Sequence, residues 1–298
     1  MKILLTGATG FLGKNLLPIL LKKHKVLVIT KNLKLKNNLN QKIIYSKIEN
    51  LNDYNLGKIK KFKPEVLINL SWHGIPDFSY KNSIKNLKDQ TFFINKIIDL
   101  NVLKKVISTG SCLEYPENFG KCHENIKISP TSYFTWSKNS LMNFIKFKCK
   151  NKKINFVWFR IFYMYGNYQR KGSLIPTIIK SLQNLKKPVL SAPLNLNDYI
   201  HVHDVCNAII KSMENKLTSG IFNIGSGKLT SVLDIYKKIL NLMKLNKVKK
   251  FAIKTQKQKQ KQKQNKTNFA CLDKIQKNLK WKPMIDFDNS LKHLIDFK

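Results

Sequence analysis

Eight residues, Thr6-Gly7-Ala8-Thr9-Gly10-Phe11-Leu12-Gly13, constrain the fold more than any other feature of this chain. They follow a short apolar run, Lys2–Thr6. They open a segment, Phe11–Lys23, in which Leu12, Leu16, Ile19 and Leu20 share one helical face. Strand, glycine turn and helix is the context that a dinucleotide fingerprint requires. Gly7 permits the tight turn, Gly10 lets the backbone approach a pyrophosphate, and Gly13 lets helix and strand pack closely. The unpaired N–H groups at the helix start then face the phosphates.

The pattern continues along the chain. Val26–Thr30, Ile43–Tyr45, Glu65–Leu70, Lys105–Ser108 and Ile154–Arg160 read as five further buried strands. Helical segments lie between them, notably Ser79–Leu100 and Ser132–Lys150. Apolar strands alternating with amphipathic helices predict an α/β fold with a doubly wound parallel sheet. Residues 1–160 are expected to form a dinucleotide-binding domain, with about 196–213 returning to it. Residues 161–298 are expected to form mainly a smaller substrate lobe over the C-terminal ends of the strands. Lys254–Lys266 is a Lys/Gln repeat that cannot bury a core and is expected to be a solvated loop.

Composition narrows the partners. Lys and Arg total 55 against 17 Asp and Glu, a formal charge of +38. Such charge points to an anionic partner. Arg160 and Arg170 are the only arginines, however, and nucleic-acid readers rely on arginine for bidentate contacts. Lysine here accompanies abundant Asn and Ile, as an AT-rich coding sequence produces, so nucleic acid is not the expected partner. No apolar run approaches the ~18 residues of a membrane span. Nor does the apolar start lead to a signal-peptide cleavage site, so a soluble cytoplasmic protein is expected. The five cysteines are scattered, form no CxxC and have no histidine at zinc spacing, so no metal site is expected.

Several ordered motifs carry a resemblance. TGATGFLG resembles the extended short-chain dehydrogenase/reductase family, in its nucleotide-sugar epimerase, dehydratase and reductase branch. Ser108-Thr109-Gly110-Ser111-Cys112-Leu113-Glu114-Tyr115 is similar to that branch's sugar-binding segment after the fifth strand. Asn197–Val205 (NDYIHVHDV) is similar to its R-D-[FY]-[IV]-H-V-x-D-[LV] motif. Phe222–Gly227 (FNIGSG) resembles its NIGxG turn, and Asp273 with Leu279–Pro283 (LKWKP) its C-terminal ending. The resemblance runs nearly end to end. It implies a Rossmann fold, an NAD(P) cofactor, a nucleotide-sugar substrate and a homodimer.

The expected cofactor contacts are Gly7, Thr9, Gly10, Phe11, Leu12, Gly13, Lys31, Leu70 and Lys138. Thr30-Lys31-Asn32, after the second strand, holds no acid for the ribose hydroxyls, which favours NADP(H) slightly over NAD(H). The family often has an Asp near the end of the third strand for the adenine; Ser46-Lys47-Ile48 stands there instead.

The family's chemistry rests on Ser/Thr and a YxxxK pair. A phenol is a base near neutral pH only if its anion is stabilised, and a Lys one turn away does that. Ser111 and Lys138 fill their positions, but Phe134 stands where the Tyr belongs. Tyr133 is adjacent at i, i+5, about 140° from Lys138 on an ideal helix. A π-bulge would realign the two. Ser111, Tyr133 and Lys138 are therefore the expected catalytic set. Cys112, Tyr163 or His73 are alternative proton carriers, and loss of redox chemistry is the third reading. That third reading makes the chain a non-catalytic dinucleotide-binding scaffold, regulatory or RNA-associated.

Cys112-Leu113 occupies the positions where the family's dehydratases carry Asp-Glu, which disfavours dehydration and leaves epimerisation or keto-sugar reduction in deoxy-sugar or surface-polysaccharide synthesis. The expected substrate contacts are Trp72, His73, Cys112, Arg160, Tyr163 and Asn197. Tyr163 replaces the family's Asn and Asn197 its Arg; Arg170, Lys171 or Lys180 are candidates to compensate. His201 and His203 have strand spacing that suits a metal pair, but the resemblance explains His201 as structural.

Overall fold

A computed structural model of the chain describes residues 1–30, 43–47, 54–245 and 266–297. Lys31, Asn32 and residues 254–265 of the Lys/Gln repeat lie outside the described residues. The elements run β1 (Lys2–Thr6), α1 (Phe11–Lys23), β2 (Lys25–Thr30), β3 (Ile43–Lys47), α2 (Leu56–Phe62) and β4 (Val66–Asn69). Then come α3 (Tyr80–Ile98), β5 (Lys105–Ser111), a single 3-10 turn (Cys112–Glu114), β6 (Phe119–Cys122), α4 (Tyr133–Asn151), β7 (Asn155–Ile161) and β8 (Tyr163–Tyr165). The remainder is α5 (Leu174–Gln183), β9 (Leu196–His201), α6 (Val202–Glu214), β10 (Gly220–Ile224), β11 (Leu229–Ser231), α7 (Val232–Leu242), β12 (Lys266–Ala270), α8 (Asp273–Leu279) and α9 (Phe287–Asp296).

Seven strands form one sheet in the order β10-β7-β5-β4-β1-β2-β3, and every neighbouring pair is parallel. The alternation of side chains along each strand sends residues to two covered faces. Ile3, Leu5, Val26, Val28, Val157 and Phe159 pack beneath α1, α6 and α8. Leu4, Leu27, Leu67, Val106, Phe156 and Trp158 pack against α3 and α4. Both faces are buried, so the strands read as near-continuous apolar runs.

All six strands read from the sequence are present. The seventh, β10, is the segment read only as a turn motif. It pairs with β7, from Gly220 opposite Val157 to Ile224 opposite Ile161, so residues after 213 also return to the sheet. Ile275, Leu279 and Trp281 enter the same core as α1 and α6. A separate cluster unites α5, α7 and α9 around Tyr165 and Tyr199. It lies beside the three-stranded sheet β11-β9-β8.

The aspartates of the NDYIHVHDV motif staple these parts together. Asp198 is fully buried and accepts from Ser226 N and Oγ, Gly227 N and Ala270 N. Asp204 accepts from Met284 N and Ile285 N, and its carbonyl accepts from the Trp281 indole. No described helix is long and apolar enough to cross a membrane.

Candidate active site

The glycine turn has the geometry its residues require. Gly7 has φ of +73°, and a Cβ there would lie 2.7 Å from Leu70 C. A Cβ on Gly13 would lie 2.1 Å from Gly7 O, so only glycine lets α1 start this close to β1. Gly10 is the N-cap of α1 and offers no side-chain acceptor, and the first turn carries no acid. The helix-start N–H groups are therefore unmatched by side chains, which fits an anionic phosphate bridge.

A pocket of about 260 Å³ opens beside this turn, lined by Thr6, Gly7, Thr9, Gly10, Ile29, Thr30, Leu70, Ser71, Trp72 and His73. Its floor is a buried polar ladder across the strand ends. Thr6 Oγ1 donates to Asn69 Oδ1 (2.6 Å), and Asn69 Nδ2 donates to Gln90 Oε1 (2.9 Å) and Ser108 Oγ (3.3 Å). Gln90 Nε2 in turn donates to Ser71 O (2.8 Å). The loop carrying Trp72 and His73 is held from α3. Asn86 accepts from His73 N and donates to His73 O, and Asn82 donates to the same carbonyl. Of the expected cofactor contacts, Gly7, Thr9, Gly10 and Leu70 line this pocket. Phe11, Leu12 and Gly13 form the helix start beside it. Trp72 and His73, expected on the substrate side, also line it.

Lys138 lies inside the fold. Its ammonium donates to Thr109 O (2.9 Å) and sits 4.1 Å from the Trp72 ring centroid. Burial pulls its pKa down to about 8, against a weaker opposing pull from the Glu114 charge. Phe134 is 4% exposed and packs on the Trp72 and Phe78 rings. Ser111 ends β5 and caps the 3-10 turn, its Oγ accepting from Leu113 N and its N–H donating to Glu114 Oε1.

Tyr133 is not brought to this group. Helix α4 is α-helical from its first residue, with no π-bulge between Tyr133 and Lys138. Tyr133 is 56% exposed, meets Tyr80 edge-on and makes no hydrogen bond to Lys138 or Ser111. Ser132 and Thr135 form a reciprocal capping box that fixes this first turn as regular helix.

Arg160, expected to contact substrate, is directed inward and is 1% exposed. It donates to Glu114 Oε2 (3.0 Å), Tyr115 OH (3.1 Å) and Glu124 O (3.1 Å). A buried guanidinium needs such partners, and Glu114 supplies the balancing charge. Glu114 also accepts from the Trp158 indole. Sequence reasoning did not foresee this network, although Ser111 followed three residues later by Glu114 has the S-x-x-E spacing of a capping box. Cys112 is buried, and burial pushes its thiol up to about 12. Tyr163 and Asn197 meet at a second hollow of about 430 Å³, with Gln169, Ser173 and Tyr199. His201 caps α6 and meets the Tyr165 ring edge-on; burial, with neighbouring His203, pulls its imidazole down to about 4.

The segment after β8 is tied to the elements around the first pocket. Asn167 O accepts from Asn15 of α1, and Arg170 donates to Ile75 O of the Trp72 loop.

Comparison with known proteins identifies the family and the fold. Residues 3–225 match the family model described as the NAD dependent epimerase/dehydratase family. A dTDP-D-glucose 4,6-dehydratase of Dictyostelium discoideum is 26% identical over 81% of this chain and 62% of that protein. The fold is shared with UDP-N-acetylglucosamine 4-epimerase from Methanobrevibacter ruminantium, solved with UDP-N-acetylmuramic acid (TM-score 0.84, 22% identity, 99% and 97% of the two chains). It is also shared with UDP-glucuronic acid 4-epimerase from Bacillus cereus, solved with NAD (TM-score 0.84, 21% identity, 100% and 96%). With the match covering most of its length, the chain belongs to the NAD dependent epimerase/dehydratase family, within the extended short-chain dehydrogenases/reductases.

Proposed function

We propose that this protein is a cytoplasmic NAD(P)-dependent nucleotide-sugar epimerase or keto-sugar reductase of deoxy-sugar or surface-polysaccharide synthesis. The observation that carries the proposal is Lys138, buried and fixed on Thr109 O two residues before Ser111, next to the glycine cradle. The bound dinucleotide supplies a hydride acceptor or donor for one sugar carbon. Gly7, Gly10 and the N–H groups of α1 hold its phosphates. No acid ends β2 at Thr30, which favours NADP(H) slightly. Residues 1–160 with α6 serve the dinucleotide, and the later segments around Tyr163 and Asn197 serve the nucleotide sugar.

Ser111 orients the reacting hydroxyl. With Phe134 in place of a phenol and Tyr133 turned toward Tyr80, Lys138 is the group best placed to move the proton. A lysine near pKa 8 exchanges protons at physiological pH, as an ordinary lysine does not. Dehydration remains disfavoured. Leu113 carries no acid, Cys112 is a buried thiol, and the Glu114 carboxylate is committed to Arg160 and Ser111.

The test is absorbance of reduced nicotinamide with UDP-, dTDP-, CDP- and GDP-linked sugars and their 4-keto forms. Reduction should weaken as pH rises through about 8, where Lys138 loses its proton; oxidation should strengthen over the same range. Failure to bind either dinucleotide would sink the proposal.

A further inference from the structure

Folding assembles a group of metal-type ligands outside the lining of the dinucleotide pocket, bringing His123 to Cys271 and Asp273, 148 and 150 positions later in sequence. His123 follows β6, Cys271 follows β12, and Asp273 starts α8. Their ligating atoms, one from each residue, all lie within 4.8 Å of one another. Cys271 Sγ already donates to Asp273 Oδ2 at 3.2 Å. We propose that His123, Cys271 and Asp273 form a binding site for a divalent zinc-type cation.

Three arguments support the assignment. The first is donor chemistry: one imidazole, one thiol and one carboxylate make a mixed N/S/O set suited to zinc, the ion of borderline softness. The second is distance. Tetrahedral zinc with such ligands holds its donor atoms about 3.3–3.7 Å apart. Small rotations of the exposed His123 and Asp273 side chains close the remaining gap. The third is a fixed backbone. Strands β6 and β12 pair in parallel, and Cys271 N donates to Cys122 O at 2.9 Å. Asn223 Nδ2 donates to Cys122 O, and Arg160 holds Glu124 O on the other side of His123. The scaffold is therefore ordered before a metal arrives.

Cys271 is buried, while His123 and Asp273 are exposed. Metal ligation takes the thiolate, so binding must release the thiol proton and strengthen as pH rises. Lys121 Nζ lies 3.9 Å from Asp273 Oδ2 and competes with the cation for that carboxylate. An occupied site would clamp the exit of β6 to the start of α8.

The experiment uses tag-free, chelator-treated full-length protein, titrated with Co²⁺ and Zn²⁺ in the absence of nucleotide. One equivalent of Co²⁺ should give a thiolate-to-cobalt charge-transfer band that Zn²⁺ displaces. Cys271→Ser should abolish the band. His123→Ala and Asp273→Asn, both at exposed side chains, should each weaken binding more than about tenfold. Lys121→Ala should tighten it. Circular dichroism of each variant separates ligand loss from misfolding. Absence of the charge-transfer band in the native protein, or binding that survives His123→Ala unchanged, overturns the proposal.

Discussion

At the scale of single residues, the position that decides the chemistry is Phe134. Its ring fills the space between Trp72 and Phe78 one helical turn before Lys138. A hydroxyl added there lies on the same helix face as the ammonium, since residues four apart on a helix are neighbours. Phe134→Tyr should therefore raise kcat, by up to the ~10²-fold that a positioned acid/base contributes. Tyr133→Phe should leave kcat within about twofold, because its phenol meets Tyr80 in solvent. A large loss on Tyr133→Phe would instead show that the first turn of α4 rearranges on binding. Steady-state rates with one accepted sugar, with Lys138→Met as the inactive reference, decide between these outcomes. The Phe at 134 was legible in the sequence because the family resemblance sets a Tyr four residues before Lys138. The Arg160–Glu114 pair was not, because their meeting depends on β5 and β7 lying side by side.

At the scale of elements, the first strand, turn and helix behave as one part. Sequence reading succeeded here because the backbone itself demands glycine, so residue type reports conformation directly. The central strands are likewise legible, since burial on both faces writes near-continuous apolar runs. β10 escaped because its Gly220 and Asn223 break such a run. Asn223 is nonetheless buried, accepting from Tyr115 OH and donating to Cys122 O. The turn makes a sharp prediction. Gly13→Ala places a methyl 2.1 Å from Gly7 O and 2.6 Å from Ala8 Cα, both backbone atoms that cannot swing aside. Helix α1 must shift from β1, at a cost of about 1–3 kcal/mol typical of overpacking. Dinucleotide affinity should fall more than tenfold, since displacing α1 moves the N–H groups that meet the phosphates, on the order of the 1.4 kcal/mol that tenfold represents. Reduced-nicotinamide fluorescence titration and urea denaturation read the two effects separately. Unchanged affinity in a folded variant would remove the glycine turn from the cofactor site.

At the scale of the whole molecule, the +38 charge and the exposed aromatics pull in opposite directions. Helices α3 and α4 pack side by side, and their outer surfaces carry Phe92, Trp136 (46% exposed) and Phe147 (63% exposed). Trp136 and Phe147 are eleven residues apart, three turns along one side of α4, so they form a stripe rather than scattered positions. A second copy is the proposed cover, giving a dimer built from two helices per subunit. The chain carries a formal charge of +38, and two copies at this charge repel over about 10 Å at 0.1 M salt. Association must then come from aromatic burial, with charge opposing it. The expected result is unusual in sign: dimerisation should strengthen as salt rises, whereas a nucleic-acid complex of the same protein would weaken. Sedimentation at 50 and 500 mM salt measures it. Trp136→Glu with Phe147→Glu should yield monomer at both concentrations while leaving the fold intact, because neither ring is in a core cluster. If the double variant stays dimeric, the stripe is not the contact. If salt dissolves the native dimer, an ionic rather than an aromatic interface holds it.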